Sequence, residues 1–259
     1  MKSMYTQSFL EFGLATIKKA RALILNRSQR GFSVLTKDDN TVVTEVDRET
    51  EQFIRTKIEK KYPSHGIIGE EFGVHNPLAE FKWYLDPIDG TISFSHDIPL
   101  YGTILALYQG DTPLVGIIDH PGLDLCYYAA LGQGTSCNGE RFTIQDPLSN
   151  FEKEIIATGD RSQFYDSGTL NLYQKLCDKH QLIRTIPDCF GHTLAAKGSI
   201  GAMIDFHINV WDMAATKIIV EEAGGKYILF NKTESGNGII KYSIVCGKPN
   251  VVDWLIKVL

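Results

Sequence analysis

The sequence has few cysteines, and none of them forms a C-x-x-C pair. The five cysteines are Cys126, Cys137, Cys177, Cys189 and Cys246. An odd number of scattered cysteines argues against a disulfide framework and against a zinc knuckle. This cysteine usage fits a reducing compartment, so we expect a cytoplasmic protein.

Long apolar runs and basic clusters are also missing. No apolar stretch approaches the roughly 20 residues that span a bilayer. Charged Lys2, Glu11 and Lys18 interrupt the apolar pattern at the N-terminus, which argues against a signal peptide. The 26 basic and 31 acidic side chains give a net charge of −5, and no basic run resembles those that neutralise a phosphate backbone. We therefore expect neither a membrane nor a nucleic acid as a partner.

The composition is typical of a globular protein with a continuous core, since 43% of the 259 residues are hydrophobic and 22% are charged. Two helices are predicted first, over the apolar stripe from Phe9 to Ile24 and between Asp47 and Tyr62. Strands and helices then alternate. Turn-forming residues cluster at 146–150, so we expect an N-terminal α/β half, 1–148, and a C-terminal α/β half, 149–259.

Local patterns predict further elements in both halves. The predicted strands of the first half are Ile67–Ile68, Trp83–Leu85, Thr103–Leu107, Val115–Ile118 and Leu125–Ala130, and Asn138-Gly139 predicts a hairpin turn. The predicted helices of the second half include Thr169–Lys179, His192–Lys197 and Asp212–Ala223. Both halves should therefore combine helices with sheet.

The most informative stretch reads WYLDPIDGT and ends at Thr91. Its apolar start is a predicted strand, which delivers Asp86 and Asp89. Gly90 and Thr91 then offer a permissive backbone and a hydroxyl where a helix could begin. The two carboxylates and the carbonyl of Ile88 are hard oxygen donors suited to Mg²⁺, and the N–H groups at Gly90 and Thr91 could hold a phosphate. Taken alone, the same residues also make a good turn.

Further acidic side chains follow other apolar segments. Glu70 and Glu71 come after the predicted strand at Ile67–Ile68, and Asp212 stands near the start of an apolar helix. Carboxylates at three such ends could converge on one site, where a phosphate dianion would be repelled unless cations lay between. A Glu-Glu pair alone is commonly solvated, and a lone aspartate at a helix start is commonly a cap. The prediction of a metal site therefore depends on the combination.

In order and spacing, these motifs resemble those of the inositol monophosphatase-like family of Mg²⁺-dependent phosphatases. The matching segments are Thr44-Glu45-Val46-Asp47, Gly69-Glu70-Glu71, WYLDPIDGT, Trp211-Asp212-Met213-Ala214-Ala215 and Glu222-Ala223-Gly224-Gly225. The resemblance covers nearly the whole chain. It implies a mixed α/β fold, a layered αβαβα sandwich that is usually a homodimer, and hydrolysis of a small phosphate monoester with two or three Mg²⁺ ions.

The resemblance also implies a role for each site residue. The implied metal ligands are Glu70, Asp86, the Ile88 carbonyl, Asp89 and Asp212. Asp47 and Thr91 would orient and deprotonate the attacking water, with Glu70 reaching that water through a metal ion. The N–H groups of Gly90 and Thr91 would hold phosphate oxygens. One ion would activate the water and another would stabilise the leaving alkoxide.

The segment around Asp188 favours one branch of the family. Residues 186–192, IPDCFGH, are similar to the corresponding segment of the histidinol-phosphatase branch. The carboxylates of Asp188 and Asp205 would suit a leaving group that carries an ammonium, as histidinol does, although an acid at Asp205 also fits a polyol. We expect the substrate to contact Asp89, Asp188, Asp205 and His192.

Two departures from the pattern keep other substrates open. Pro187 stands where the histidinol-phosphatase branch usually has glycine, and Ile92-Ser93 replaces its basic-then-serine pair. Inositol 1-phosphate is the alternative substrate, and another small phosphomonoester or a nucleotide is a further one. A non-catalytic, cation-binding regulatory protein is the alternative from another class, but such a protein has no chemical need for a water-activating pair.

Three other features have simpler interpretations. The seven histidines show no spacing typical of zinc sites, and we expect each of them at the surface or in a loop, with His192 the one that could contact substrate. Cys189 lies beside Asp188, which disfavours a thiolate, so we expect a packed thiol. Lys37 lies in the segment that borders the third cation in this family, but it could equally be an exposed lysine.

Overall fold

Two β-sheets alternate with three helical layers in the computed structural model, which describes residues 2–37, 41–145, 153–234 and 239–259. The predicted boundary at 146–150 lies outside the described residues. The helices are α1 (Lys2–Arg30), α2 (Glu45–Lys61), α3 (Thr91–Ser95), α4 (Arg161–Asp166), α5 (Leu170–Lys179), α6 (Asp188–Lys197), α7 (Val210–Glu222) and α8 (Pro249–Val258).

The strands of the first half follow the predicted apolar runs. They are β1 (Val34–Thr36), β2 (Val42–Thr44), β3 (Gly66–Gly69), β4 (Gly73–His75), β5 (Phe81–Asp89), β6 (Gly102–Gln109), β7 (Thr112–His120), β8 (Leu125–Ala130), β9 (Thr135–Cys137) and β10 (Glu140–Phe142). Those of the second half are β11 (Ile156–Thr158), β12 (Ile183–Thr185), β13 (Ala202–Ile208), β14 (Lys226–Glu234) and β15 (Ile240–Gly247). Sequence patterns did not predict the short elements β1, β2, β4 and α4, whereas α3 begins at Thr91, where the sequence allows a helix to begin.

The two sheets are formed by strands from different parts of the chain. Within the described residues, one sheet has the order β10-β9-β8-β7-β6-β5-β3-β4 and the other the order β12-β11-β13-β15-β14, while β1 and β2 form a separate antiparallel pair. Strand β3 runs parallel to β5, so their carboxyl ends lie at the same edge of the first sheet. The predicted turn at Asn138-Gly139 is confirmed, because both residues have positive φ and connect β9 to β10.

Strand β6 shows why these strands are continuously apolar. Leu105 and Leu107 pack on one face of the sheet against α1 and α2, whereas Ile104 and Ala106 pack on the other face against α6 and α7. All four side chains are buried because helices cover both faces of the sheet. Helices α6 and α7 also contact the second sheet, and α4 and α8 pack on its opposite face. This order of layers confirms the predicted α/β sandwich.

Helix α6 begins earlier than the sequence pattern predicts. The predicted start is His192, but the helix begins at Asp188, directly after Pro187. Proline has the extended conformation that a residue preceding a helix adopts, since φ of Pro187 is −72° and ψ is 172°. The earlier start places Asp188 and the N–H of Cys189 in the first turn of the helix.

The expectation that the histidines lie at the surface or in loops is wrong for His120, in β7, and His192, in α6, which are both buried. His65 and His180 lie in loops, as expected, but are also buried. Each is bonded to a specific partner. Nδ1 of His65 accepts from the Trp83 indole at 3.1 Å, and Nε2 of His180 lies 2.7 Å from the carbonyl of Glu154. Burial lowers the pKa of His120 to about 4, so a neutral imidazole fits this interior position.

No helix among the described residues combines the length and the apolar character that crossing a bilayer requires.

The two-sided burial of β6 predicts a stability difference between two leucines. Leu105 is 0% exposed and Leu78 is 94% exposed. Leu105→Ala should lower the free energy of unfolding by about 2–5 kcal/mol because it leaves a cavity between the sheet and α1. The matched control Leu78→Ala should change it by less than about 0.5 kcal/mol. Denaturant unfolding measures both, and equal losses would contradict the packing described.

Candidate metal centre

Three aspartates from two elements meet at one point. Asp86 and Asp89 lie at the end of β5, and Asp212 lies in the first turn of α7. One carboxylate oxygen from each residue lies within 4.8 Å of those from the other two. Carboxylate oxygens are the ligands that Mg²⁺ prefers in proteins. The structure therefore brings together three of the predicted metal ligands.

Backbone N–H groups hold each of these carboxylates. Asp86 accepts from the N–H of Ile88 at 3.0 Å, and Asp89 accepts from the N–H of Cys189. Asp212 accepts from the N–H of Asn209 at 2.7 Å as part of a capping box, in which Asn209 is the N-cap. These bonds engage one oxygen of each carboxylate and fix the direction of the other.

Glu70 reaches the same region from the neighbouring strand. It directly follows β3, and its N–H donates to the carbonyl of Leu85 at 3.2 Å, which aligns it with the end of β5. The ammonium of Lys37 donates to Glu70 Oε1 at 2.9 Å and to Glu71 Oε1 at 2.6 Å. Lys37 is therefore paired with both glutamates and is not an exposed lysine.

The predicted water-activating pair is hydrogen-bonded. The Thr91 hydroxyl lies 3.1 Å from Asp47 Oδ1 and 2.9 Å from the carbonyl of Ile88. Asp47 is fully buried, and its other oxygen accepts from the N–H of Thr44 at 2.8 Å. Thr44 is the N-cap of α2 and Asp47 its third residue, so the helix begins just before Asp47 rather than at it. A helix start thus positions Asp47 against Thr91.

Burial and mutual repulsion raise the pKa of these carboxyl groups. Burial is the larger cause, and the nearby carboxylates add to it. The pKa values of Asp86 and Asp89 lie well above their usual range, that of Asp212 rises to about 8, and that of Asp47 to about 6. Burial also raises the pKa of Glu70, although Lys37 opposes this shift.

This electrostatic arrangement fits a divalent cation. Several buried carboxylates converge there, and the ammonium of Lys37 bonds directly to only one of the predicted ligands, Glu70. A cation of charge +2 would stabilise the ionised form of every carboxylate it contacts, in place of bound protons. The donors are all oxygen atoms, which matches a hard cation such as Mg²⁺.

Gly90 lies between the aspartate cluster and the N-terminus of α6. Its φ is +85°, and a Cβ built on it would lie 3.0 Å from Asp188 Oδ2 and 3.0 Å from the carbonyl of Leu100. Both the backbone conformation and the close approach therefore require glycine. The predicted phosphate-binding N–H groups, those of Gly90 and Thr91, lie at this tight turn.

The predicted substrate residues differ in their surroundings. Asp188 is partly buried beside Gly90, and burial, together with Asp205 and Asp160, raises its pKa to about 7. Asp205 is buried and already bonded, with Oδ2 3.1 Å from His192 Nε2 and Oδ1 accepting from the N–H of Phe206. Thr216 bonds the other nitrogen of His192 at 3.0 Å. The structure thus brings Asp188 next to the metal cluster and pairs Asp205 with His192 behind it.

Sequence reasoning missed several supporting groups. Glu51 and Arg55 form a buried ion pair on α2, beneath the turn that carries Glu70. Their four-residue spacing after Asp47 was a readable signal, because such residues share one helix face. Asp160, which contributes to the raised pKa of Asp188, was also missed. Its position directly before α4 is only a weak indication of a role at the site.

A family model described as the inositol monophosphatase family matches residues 6–258. The chain belongs to the inositol monophosphatase family. Members of this family are phosphatases, generally metal-dependent, that act on small phosphate monoesters, which confirms the predicted class. The family resemblance seen in the sequence is thereby confirmed over almost the whole chain.

Similar proteins agree on the family and differ in the substrates they are named for. The chain is 34% identical over 243 residues to a histidinol-phosphatase of Chlorobaculum parvum, and the matched region covers 92% of this chain and 93% of that protein. It is 28% identical over 224 residues to a fructose-1,6-bisphosphatase/inositol-1-monophosphatase of Aquifex aeolicus, with 86% and 83% covered. The extragenic suppressor protein suhB of Bartonella henselae has the same fold, with a TM-score of 0.84 at 24% identity over 97% of this chain and 98% of that one.

The raised pKa values predict how the stability of the metal-free protein depends on pH. When the pKa of a carboxyl group is higher in the folded than in the unfolded protein, ionisation of that group lowers the free energy of unfolding. The free energy of unfolding should therefore fall as pH rises from an unfolded pKa of about 4 to the folded value, which is about 8 for Asp212. We expect the melting temperature in chelator to fall between about pH 5 and about pH 8, and Asp212→Asn to reduce that slope.

Thermal melts across this range measure the slope. Asp111→Asn, at an exposed position, is the matched control and should leave it unchanged. Equal slopes in Asp212→Asn and the unmodified protein would contradict the assigned shift.

Proposed function

We propose that this protein is a Mg²⁺-dependent phosphomonoesterase, with histidinol phosphate as its favoured substrate. The convergence of the Asp86, Asp89 and Asp212 carboxylates beside the bonded pair Thr91–Asp47 carries the proposal. A purely regulatory cation site would need the carboxylates but not a hydroxyl bonded to a buried carboxylate. Hydrolysis needs both.

Two or three Mg²⁺ ions would be held by the carboxylates of Glu70, Asp86, Asp89 and Asp212 and by the carbonyl of Ile88. When bound, the ions supply Lewis acidity and neutralise the charge of the phosphate. The chain contributes the fixed geometry, since backbone N–H groups orient the three aspartates and the β3–β5 pairing aligns Glu70.

Asp47 and Thr91 would move the proton of the attacking water. The Thr91 hydroxyl would accept that proton and pass its own to Asp47 Oδ1, which lies 3.1 Å away. A pKa of about 6 leaves Asp47 mostly ionised at neutral pH, while keeping it basic enough to take a proton. The N–H groups of Gly90 and Thr91 would bind phosphate oxygens.

The substrate assignment rests on Asp188. Its carboxylate lies beside Gly90, where it could meet an ammonium on the leaving group, whereas Asp205 is engaged by His192. The similarity to a histidinol-phosphatase at 34% identity supports the same choice. Inositol 1-phosphate is the second candidate, supported by the Aquifex aeolicus relative's name. Another small phosphomonoester or a nucleotide is a weaker one.

Three further predictions belong to this proposal. We place the protein in the cytoplasm, since its five cysteines are free. We infer a homodimer from the family resemblance. We also divide the chain at residues 148 and 149, which separates the first sheet from the second and leaves Asp212 and Asp188 on the C-terminal side.

Asp89→Asn should abolish turnover while leaving a cooperatively folded protein. Asparagine keeps an oxygen that can accept from the N–H of Cys189 but loses the charge that a metal ion needs. We expect kcat to fall at least about 100-fold, measured as phosphate release at saturating Mg²⁺, with Asp111→Asn as the control. A variant that retains more than about a tenth of normal kcat would argue against Asp89 as a ligand.

The substrate is tested with L-histidinol phosphate and myo-inositol 1-phosphate at matched concentrations. We expect kcat/KM to favour histidinol phosphate by at least about 100-fold, or about 2.7 kcal/mol in the transition state. Asp188→Asn, whose side chain tolerates the φ of +61° at this position, should reduce that preference. A preference for inositol 1-phosphate, or equal losses on both esters in Asp188→Asn, would overturn the substrate assignment and leave the metal site standing.

A further inference from the structure

A buried ion pair on α2 lies beneath the turn between β3 and β4. Both members, Glu51 and Arg55, are buried, and Arg55 Nε donates to Glu51 Oε1 at 2.8 Å. The turn itself carries Glu70, a predicted metal ligand, and Glu71, which binds Lys37. The pair therefore lies one layer behind the candidate metal centre.

The hydrogen bonds of the pair are directed at this turn. Glu51 Oε2 accepts from the N–H of Glu71 at 2.8 Å, and Glu51 Oε1 accepts from the N–H of Phe72 at 3.1 Å. Arg55 Nη2 donates to the carbonyl of Gly73. One helix turn thus binds the backbone of three consecutive residues.

The approach of Glu51 to the turn is close. A Cβ built on Gly69 would lie 2.2 Å from Glu51 Oε1, so only glycine admits the carboxylate there. On the other side of the turn, the N–H of Glu70 donates to the carbonyl of Leu85, the residue before Asp86. The backbone of Glu70 is therefore held between α2 and the strand that carries the aspartates.

Stability alone is a weak reason for this pair. Removing two charges from water costs about as much free energy as their attraction returns. Apolar side chains at these two positions would therefore stabilise the protein equally well. Partners that orient metal ligands typically change metal affinity by about 10- to 100-fold when they are removed.

We infer that Glu51 and Arg55 are positioning residues that set the metal affinity of the site by fixing the turn that carries Glu70. The inference rests on the proposed metal-dependent function. It assigns no contact between either residue and the substrate, so the effect should fall on metal binding and not on the binding of the phosphate ester.

The test measures metal binding directly, with Mn²⁺ as the probe and its electron paramagnetic resonance signal as the measure of free ion. Glu51→Gln keeps the shape of the side chain but replaces one accepting oxygen with an N–H donor. We expect its Mn²⁺ affinity to fall about 10- to 100-fold, and the Mg²⁺ concentration for half-maximal activity to rise in parallel. KM for the phosphate ester at saturating Mg²⁺ should stay unchanged.

Glu154→Gln is the matched control. It breaks the ion pair with Lys248, whose Nζ lies 2.7 Å from Glu154 Oε1. Lys248 is the N-cap residue of α8, beside the second sheet. This variant should lose stability and keep its Mn²⁺ affinity within about twofold, because distant sites act independently. Arg55→Lys retains the charge but not the forked geometry, and it tests the inference if Glu51→Gln does not fold.

The outcomes separate this inference from the proposed function. If Glu51→Gln or Arg55→Lys melts at a lower temperature but binds Mn²⁺ as the unmodified protein does, the pair is only structural and the inference is overturned. If the unmodified protein binds no Mn²⁺, both the inference and the proposed function are overturned. Weaker Mn²⁺ binding with an unchanged KM supports the inference.

Discussion

Repulsion among buried carboxylates is the constraint on which this structure depends. Asp86, Asp89 and Asp212 meet within a few ångströms, and burial raises the pKa of each. Isolated negative charges are not stable in such a place, so they need protons, an ammonium or a metal cation. The surrounding architecture keeps these groups together through capping boxes, the parallel β3–β5 pair and the lysine beside Glu70.

The site also joins the two sheets. The N–H of Cys189, in the first turn of α6, donates to Asp89 at the end of β5, while α6 and α7 pack between the two sheets. Helix α6 is anchored further by His192, which bonds Asp205 on β13 and Thr216 on α7. Asp89, a predicted metal ligand from the first sheet, and the candidate specificity residue Asp188 are therefore held by the same helix turn.

Local patterns predicted the parts of the site that lie in one segment. The segment WYLDPIDGT contains an apolar strand followed by two aspartates, and both features are recognisable from the sequence. Acidic residues that follow separate strands could be expected to converge on one site. Contacts that depend on the pairing of distant elements were not readable, such as Glu51 with the N–H of Glu71 or Asp205 with His192. The buried histidines were missed for the same reason, because a buried imidazole can be predicted only when its hydrogen-bond partners are known.

Anomalous diffraction from crystals soaked in Mn²⁺ would show whether the aspartate cluster binds a divalent metal ion. We expect an anomalous peak in direct contact with the carboxylates of Asp86, Asp89 and Asp212, and its loss in crystals of Asp89→Asn. Well-diffracting crystals at saturating Mn²⁺ with no anomalous density between these carboxylates would contradict the proposed metal site.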